Sequence, residues 1–151
     1  MLLKTIVEKK HYHFAESAKD WRDSIYMGCK PLEADGTIDP VYADEIIACV
    51  EEHGAYIVII PGICIPHSME GAKGVNKTAI GFMKIEEPVS FDDSDPEKTA
   101  TVFFTLAAAD HDAHIANMQQ LFQMLENDSL LEELFDVKSP EGLLELDEKY
   151  S

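Results

Sequence analysis

Three apolar runs with little polar alternation constrain the fold of this 151-residue chain more than any other feature. They occupy residues 56–60, 78–85 and 99–107 and are rich in β-branched and aromatic side chains. Such runs are typical of strands that are buried on both faces of a sheet. Apolar residues elsewhere recur at helical spacing, so helices are available to cover both faces. The sequence therefore predicts an α/β fold, a three-layer α/β/α sandwich with a mixed β-sheet flanked by helices.

Capping residues and apolar spacing predict where the helices begin. The first predicted helix starts at Ser17, holds Trp21, Ile25 and Tyr26, and fades near Pro31. The second has Asp39 as N-cap and Pro40 in its first turn. Three later helices are expected to start at Asp110 or Asp112, around Leu130, and at Ser139, which is followed by Pro140. Side-chain oxygens at such positions accept hydrogen bonds from first-turn N–H groups. Residues 86–97 are acidic and contain two prolines, which predicts an exposed loop.

Length and charge limit the class of protein. The chain contains no Pro/Gly/Ser-rich linker, so residues 1–151 are predicted to form a single domain. A net charge of −17 repels polyanions, which argues against nucleic acid and anionic membranes as partners. Residues 1–10 lack a secretory pattern and no apolar stretch reaches about 20 residues, so we expect a cytoplasmic protein without membrane insertion. Cys29, Cys49 and Cys64 fit reduced thiols.

Two of the six histidines follow predicted strands and are candidates for chemistry. His67 comes after the first apolar run and directly follows Pro66, which fixes the backbone where the chain leaves the sheet. His114 lies on the apolar face of the helix after the third run, in its first turn, where the helix dipole favours an anion. Open α/β sheets bind ligands outside the carboxyl ends of strands, although a core histidine is the ordinary alternative for each residue. The remaining histidines are expected to be structural or to face solvent, and they are His11, His13, His53 and His111.

Motifs of other catalytic classes are missing or incomplete. Cys64 and His67, with His111 and His114, have spacings that superficially suit zinc, but no HExxH or paired CxxC occurs. A metal-dependent hydrolase is therefore a minor alternative, and no metal ion or organic cofactor is predicted. Glycine-rich phosphate loops and the nucleophile elbow are absent, and the apolar neighbours of Cys64 should raise the pKa of its thiol. Histidine itself remains as nucleophile, since neutral imidazole forms a phosphoramidate that passes its phosphoryl group on readily.

The two candidate histidines lie in separate blocks of distinctive sequence. The blocks are Gly62-Ile63-Cys64-Ile65-Pro66-His67-Ser68, followed by Gly74-Val75 and by Glu87-Pro88-Val89, and Leu106-Ala107-Ala108-x-Asp110-x-x-x-His114-Ile115. Together they resemble the mannitol/fructose-type enzyme IIA domains of the bacterial sugar phosphotransferase system. The N-terminal part is similar to the ascorbate-specific branch of that family at Trp21, Lys30-Pro31-Leu32, Tyr42 and Gly54-Ala55-Tyr56-Ile57-Val58.

The resemblance implies a phosphotransferase component with a phosphohistidine intermediate. His67 would take phosphate from the histidine-containing phosphocarrier protein and give it to a cysteine of the ascorbate-type IIB component, while His114 would steady the phosphoryl group. Such a protein serves the uptake and phosphorylation of ascorbate. A regulatory phospho-sensor that controls transporters or kinases is the main alternative. The sequence leaves open whether the chain forms a homodimer.

Overall fold

The computed structural model describes residues 2–68 and 72–151. The elements in chain order are α1 (Leu2–Glu8), β1 (Tyr12–Ala15), α2 (Trp21–Ala34), α3 (Val41–His53), β2 (Val58–Ile60), β3 (Gly62–Cys64), β4 (Ala79–Ser90), β5 (Thr99–Ala107), α4 (His111–Leu125), α5 (Asp128–Leu134) and α6 (Pro140–Tyr150). The strands form one sheet in the order β1-β4-β5-β3-β2. The sheet is mixed, because β1 pairs with β4 and β3 with β5 in parallel, while β4–β5 and β2–β3 are antiparallel.

Helices cover both faces of this sheet and create two apolar cores. One core holds α2 and α3, and the other holds α1, α4, α5 and α6. Because successive strand residues point to opposite faces, neighbouring residues such as Phe103 and Phe104 belong to different cores. Both of these rings are fully buried, and each contributes about 1.5–3 kcal/mol through loss of apolar surface from water. The predicted three-layer α/β/α sandwich is confirmed.

The sequence predicted that the first apolar run, residues 56–60, forms a strand buried on both faces. This prediction is wrong. Only residues 58–60 form β2, which is the edge strand of the sheet, and Ile59 is 41% exposed. The chain reverses at Gly62, whose φ of 93° favours glycine, and β3 takes the interior position next to β5. A Cβ atom at Gly62 would also lie 2.6 Å from Cε1 of Phe135. The expected strand is therefore shorter than predicted, and the tight turn adds a second strand, β3, which the sequence did not predict and which pairs with β2 in antiparallel orientation.

Several predicted boundaries also shift, for reasons visible in the hydrogen bonds. Asp20, not Ser17, caps α2 by accepting a bond from the Asp23 amide, and the helix continues past Pro31 to Ala34. Strand β4 runs to Ser90, so the first part of the predicted acidic loop is strand.

Helix α3 begins one residue later than predicted. Pro40 occupies its N-cap position, because the expected cap residue, Asp39, is bound to another segment. The Asp39 amide donates to the Gly74 carbonyl and its carboxylate accepts from Asn76. The predicted caps Asp110 and Ser139 do accept first-turn amide bonds, from Ala113 and Gly142 respectively. In the described part of the chain, no helix is long and apolar enough to cross a membrane.

Candidate phosphoryl-transfer site

The sheet brings the two candidate histidines together at one edge. Strands β3 and β5 are parallel neighbours, so their carboxyl ends lie side by side. His67 follows β3, and His114 follows β5 in the first turn of α4. The centroids of the two imidazole rings are 5.6 Å apart, and the rings are inclined by 37°. A small group placed between the rings could therefore contact both side chains.

The His67 ring is held in one orientation and one tautomer. Its Nδ1 atom lies 2.6 Å from the carbonyl oxygen of Ile65. A carbonyl oxygen only accepts hydrogen bonds, so Nδ1 carries the proton and Nε2 keeps its lone pair. Burial lowers the pKa of His67 below 6.5, the Ile65 carbonyl opposes that shift, and the nearby His114 adds to it. The net effect favours a neutral imidazole with a nucleophilic Nε2.

Two tyrosines hold the backbone around His67. The Tyr56 hydroxyl donates to the carbonyl oxygen of His67 at 2.6 Å, and its ring meets the His67 ring edge-on at a centroid distance of 5.2 Å. The Tyr42 hydroxyl donates to the Leu106 carbonyl oxygen at 2.5 Å and accepts from the Ser68 amide at 3.3 Å. Neither Tyr42 nor Tyr56 was among the candidate site residues named from the sequence. The available signal was the hydroxyl group, because a buried tyrosine needs a hydrogen-bond partner.

His114 is presented by a well-capped helix. The Asp110 carboxylate accepts a bond from the Ala113 amide at 2.8 Å, which starts α4 one turn before His114. The positive end of the helix dipole therefore lies at the site and favours a group with negative charge. His114 is partly buried, and His111 is exposed at the rim as the sequence predicted.

A cavity of about 670 Å³ lies in front of the two rings. Its lining includes Tyr42, His67, Ser68, His111 and His114. A partly apolar surface continues from the cavity along α4, where Met118 and Phe122 are partly buried and Ile115 is 42% exposed. The site therefore opens onto a surface that a protein partner could cover.

Three other histidines lie outside this site. His11 is buried, with Nε2 2.7 Å from Oδ2 of Asp35. His13 belongs to β1, the edge strand on the opposite side of the sheet from β2 and β3. His53 is exposed in the last turn of α3, where its Nε2 lies 3.7 Å from Oε2 of Glu52.

Neither Cys29 nor Cys64 offers an activated thiolate. Burial raises the pKa of Cys64 well above 9.0 and, with Glu33 nearby, raises that of Cys29 to about 12. Cys49 is partly buried beside the site, with Sγ 3.7 Å from the Ser68 hydroxyl. Within residues 2–68 and 72–151, no group of three or more His, Cys, Asp or Glu side chains is arranged to hold a metal ion.

The family of the chain follows from comparison with known proteins. The family model described as "Phosphoenolpyruvate-dependent sugar phosphotransferase system, EIIA 2" matches residues 5–149. The chain belongs to this family, which confirms the resemblance found in its sequence. It is an EIIA-type phosphoryl carrier of the sugar phosphotransferase system.

Individual relatives extend over almost the whole chain. The ascorbate-specific PTS system EIIA component of Shigella boydii is 28% identical over 145 residues, which cover 94% of this chain and 92% of the relative. The solution structure of the mannitol-specific cryptic phosphotransferase enzyme IIA from Escherichia coli is 28% identical, with a TM-score of 0.82 and 97% of each chain covered. The NMR complex of enzyme IIAMtl and phosphorylated enzyme IIBMtl from Escherichia coli shares the fold, with 23% identity, a TM-score of 0.77, and 91% and 93% coverage.

Proposed function

We propose that this protein carries a phosphoryl group on Nε2 of His67 during ascorbate uptake in the cytoplasm. The donor is the histidine-containing phosphocarrier protein, and the acceptor is a cysteine of an ascorbate-type IIB component. The observation that carries the proposal is the geometry of the His67 ring, whose Nδ1 is bound to the Ile65 carbonyl and whose face lies beside His114.

The first transfer needs a neutral histidine with one free nitrogen. The Nε2 lone pair attacks the phosphorus atom, the phosphorus–nitrogen bond to the donor imidazole breaks, and the electron pair of that bond returns to the donor. The His67 ring gains positive charge as the new bond forms. The Ile65 carbonyl oxygen, 2.6 Å from Nδ1, stabilises that charge through its dipole. No proton has to leave His67.

His114 stabilises the phosphoryl group while it is transferred. A loose phosphoryl-transfer transition state spreads negative charge over three equatorial oxygens, so catalysis depends on positioning and charge stabilisation. The His114 ring, at a centroid distance of 5.6 Å from His67, can donate a hydrogen bond to one of these oxygens. The amino-terminal end of α4 adds a favourable dipole at the same place.

The second transfer reverses the roles. A thiolate of the IIB component attacks phosphorus from the open side of the cavity, the bond to Nε2 breaks, and neutral His67 is restored. The partly apolar surface around Ile115 and Met118 gives this partner a place to dock next to His114. The mannitol enzyme IIA, which has the same fold, forms a complex with phosphorylated enzyme IIB, and this supports a IIB partner for the present chain.

Ascorbate is proposed as the sugar because of the relatives. The Shigella boydii protein named as an ascorbate-specific EIIA component aligns over 94% of this chain. The sequence blocks at Trp21, at Lys30-Pro31-Leu32 and at residues 54–58 favour the same branch of the family.

The direct test follows labelled phosphate through the reconstituted system. The protein is incubated with 32P-labelled phosphoenolpyruvate, enzyme I and the phosphocarrier protein, and then with purified ascorbate-type or mannitol-type IIB. We expect one acid-labile phosphate per chain and rapid loss of label to the ascorbate-type IIB alone. His53→Ala, a change at an exposed histidine in the last turn of α3, serves as the matched control and should behave like wild type. Labelling without transfer to any IIB would instead support a regulatory phospho-sensor, and no labelling would overturn the proposal.

A further inference from the structure

The Tyr42 hydroxyl lies in the parallel ladder between the end of β5 and the segment that carries His67. The Leu106 amide donates to the Pro66 carbonyl oxygen at 2.9 Å, as in an ordinary parallel ladder. The next bond of such a ladder would run from the Ser68 amide to the Leu106 carbonyl oxygen. Instead, the Ser68 amide donates to the Tyr42 hydroxyl, which in turn donates to Leu106. The hydroxyl therefore replaces one direct backbone hydrogen bond.

This insertion moves the backbone after His67 away from the sheet. The two bonds through the hydroxyl measure 2.5 and 3.3 Å, whereas one direct N–H···O bond is about 2.9 Å long. Residue 67 therefore lies outside the regular ladder, where its ring can turn back to the Ile65 carbonyl and face His114. The phenol itself has little freedom to move, because Tyr42 is only 2% exposed.

The Tyr42 hydroxyl is also protected from ionisation. Burial raises the pKa of Tyr42 well above 10.0, so the group keeps the proton that it donates to Leu106. Gly74, which follows His67 in the chain, lies directly against the start of α3, because a Cβ atom on it would be 2.7 Å from the Tyr42 nitrogen. Tyr42 thus contacts both Ser68, through its hydroxyl, and Gly74, through its backbone.

We infer that Tyr42 is a positioning residue for phosphoryl transfer, whose hydroxyl keeps His67 out of the β-ladder and aims its ring at His114. This inference rests on the proposed role of His67. Without the hydroxyl, the Ser68 amide and the Leu106 carbonyl can bond directly. The segment then moves onto the sheet edge, and the ring loses its alignment with Ile65 and His114. Because the direct bond replaces the bridged one, the change affects the geometry of the site more than the stability of the fold.

The kinetic test uses Tyr42→Phe, which removes only the hydroxyl. In single-turnover phosphorylation by the phosphocarrier protein, we expect the maximal rate constant to fall about 10- to 100-fold, as for a misplaced reacting group. The half-saturating donor concentration should stay within about twofold of wild type, because the exposed docking surface is unchanged. Tyr26→Phe is the matched control, since the exposed Tyr26 hydroxyl bonds to Asp44 on the outer surface of α2 and α3, and we expect it to keep the wild-type rate. A wild-type maximal rate in Tyr42→Phe would overturn the inference.

An NMR test on the unphosphorylated protein separates this inference from the proposed function. Long-range 1H–15N spectra should show His67 of the wild type protonated at Nδ1 alone, and Tyr42→Phe should convert it to a mixture of tautomers. Tyr26→Phe should leave the His67 tautomer unchanged. A chain that takes no phosphate but shows this tautomer change would refute the proposed carrier role, while still showing that the Tyr42 hydroxyl positions the His67 ring. An unchanged tautomer would refute the positioning role whether or not the chain is phosphorylated.

A measurement on the wild-type protein needs no substitution and so remains valid if Tyr42→Phe does not fold. The Tyr42 hydroxyl proton should exchange slowly with water, and it should show a nuclear Overhauser effect to the Ser68 amide proton. A direct hydrogen-bond coupling between the Ser68 amide and the Leu106 carbonyl would instead show that the hydroxyl is not inserted, and it would overturn the inference.

Discussion

His11, which precedes β1, and His67, which follows β3, each have one ring nitrogen in a hydrogen bond, but the bonding partners differ. His11 is 2% exposed, and its Nε2 atom contacts the Asp35 carboxylate at 2.7 Å. His67 is partly buried, and its Nδ1 atom contacts the Ile65 carbonyl oxygen at 2.6 Å. His11 has an anionic partner, whereas His67 has a neutral dipole on one side and an open cavity on the other.

This difference explains why one histidine suits a structural role and the other a nucleophilic one. The Asp35 carboxylate, at the end of α2, also accepts two hydrogen bonds from Thr37. The bond between His11 and Asp35 therefore joins the start of β1 to the end of α2. The Ile65 carbonyl, in contrast, fixes the tautomer of His67 and leaves Nε2 without a structural task. A chain can therefore hold two ordered histidines and use only the one whose second nitrogen faces a cavity.

The largest expected effect comes from making the same substitution at the two positions. His67→Ala should reduce phosphate incorporation by at least about 1,000-fold, because it removes the nucleophile. His11→Ala should keep full incorporation and lose about 1–3 kcal/mol of unfolding free energy, because it removes a buried side chain and its hydrogen bond to the half-exposed Asp35 carboxylate. Labelling with 32P-phosphoenolpyruvate and urea denaturation measure the two effects, with labelling done well below the unfolding midpoint. Equal labelling of His67→Ala and wild type would contradict the comparison.

The next largest effect concerns His114, which faces the same cavity as His67. His114→Ala should still accept phosphate, but its transfer to IIB should slow about 100- to 1,000-fold, as when one hydrogen-bond donor to a charged transition state is lost. Stopped reactions with purified IIB give this rate. His13→Ala, on the opposite edge strand, is the control and should transfer phosphate normally. Wild-type transfer by His114→Ala would remove His114 from the proposed mechanism.

His67 and His114 could be singled out from the sequence, because each follows an apolar segment and His114 lies in the capped first turn of a helix. Their meeting at one edge of the sheet could not be predicted, because it depends on β3, the parallel neighbour of β5, which was not among the predicted strands. The separate strand β3 depends in turn on the turn at Gly62 and on the close contact of this glycine with Phe135, a residue distant in sequence.

The hydrogen bonds of Tyr42 and Tyr56 could not be predicted from the sequence for a related reason. Tyr42 lies on the apolar face of α3, where helical periodicity gives it the same interpretation as Ile46. Its hydroxyl reaches Leu106, which is 64 residues away in the chain. Periodicity identifies the face that is buried but not the long-range partner that a polar atom on that face will find.

A third prediction concerns the pH dependence of the cavity-facing histidine. The folded pKa of His67 is lowered, first by burial and further by His114, so the neutral nucleophile should persist at and below pH 6.5. More than half of the His67 rings should therefore be neutral at pH 6.5 in a 1H–13C titration of the unphosphorylated protein. His114→Ala removes one lowering influence, and the pKa of His67 should rise in that variant. A pKa of His67 above 6.5 in wild type would contradict the nucleophilic interpretation of its environment.

The smallest effect is expected at the carboxylate that distinguishes His11 from His67. Although partial burial raises the pKa of Asp35, hydrogen bonds from Thr37 and His11 outweigh it and lower the pKa to about 2. Because the unfolded carboxylate has a pKa of about 3.9, this group stabilises the fold above about pH 4, and the contribution is lost as the pH falls towards 2. Asp35 is 46% exposed, so solvent screening should keep the effect below about 1 kcal/mol. Urea denaturation of Asp35→Asn between pH 2.5 and 6 should show a shallower acid dependence than wild type, whereas Asp93→Asn in the exposed acidic loop should not. If both variants keep the wild-type slope, Asp35 is not the ionic partner that sets His11 apart, and the contrast between the two histidines would rest on the cavity beside His67 alone.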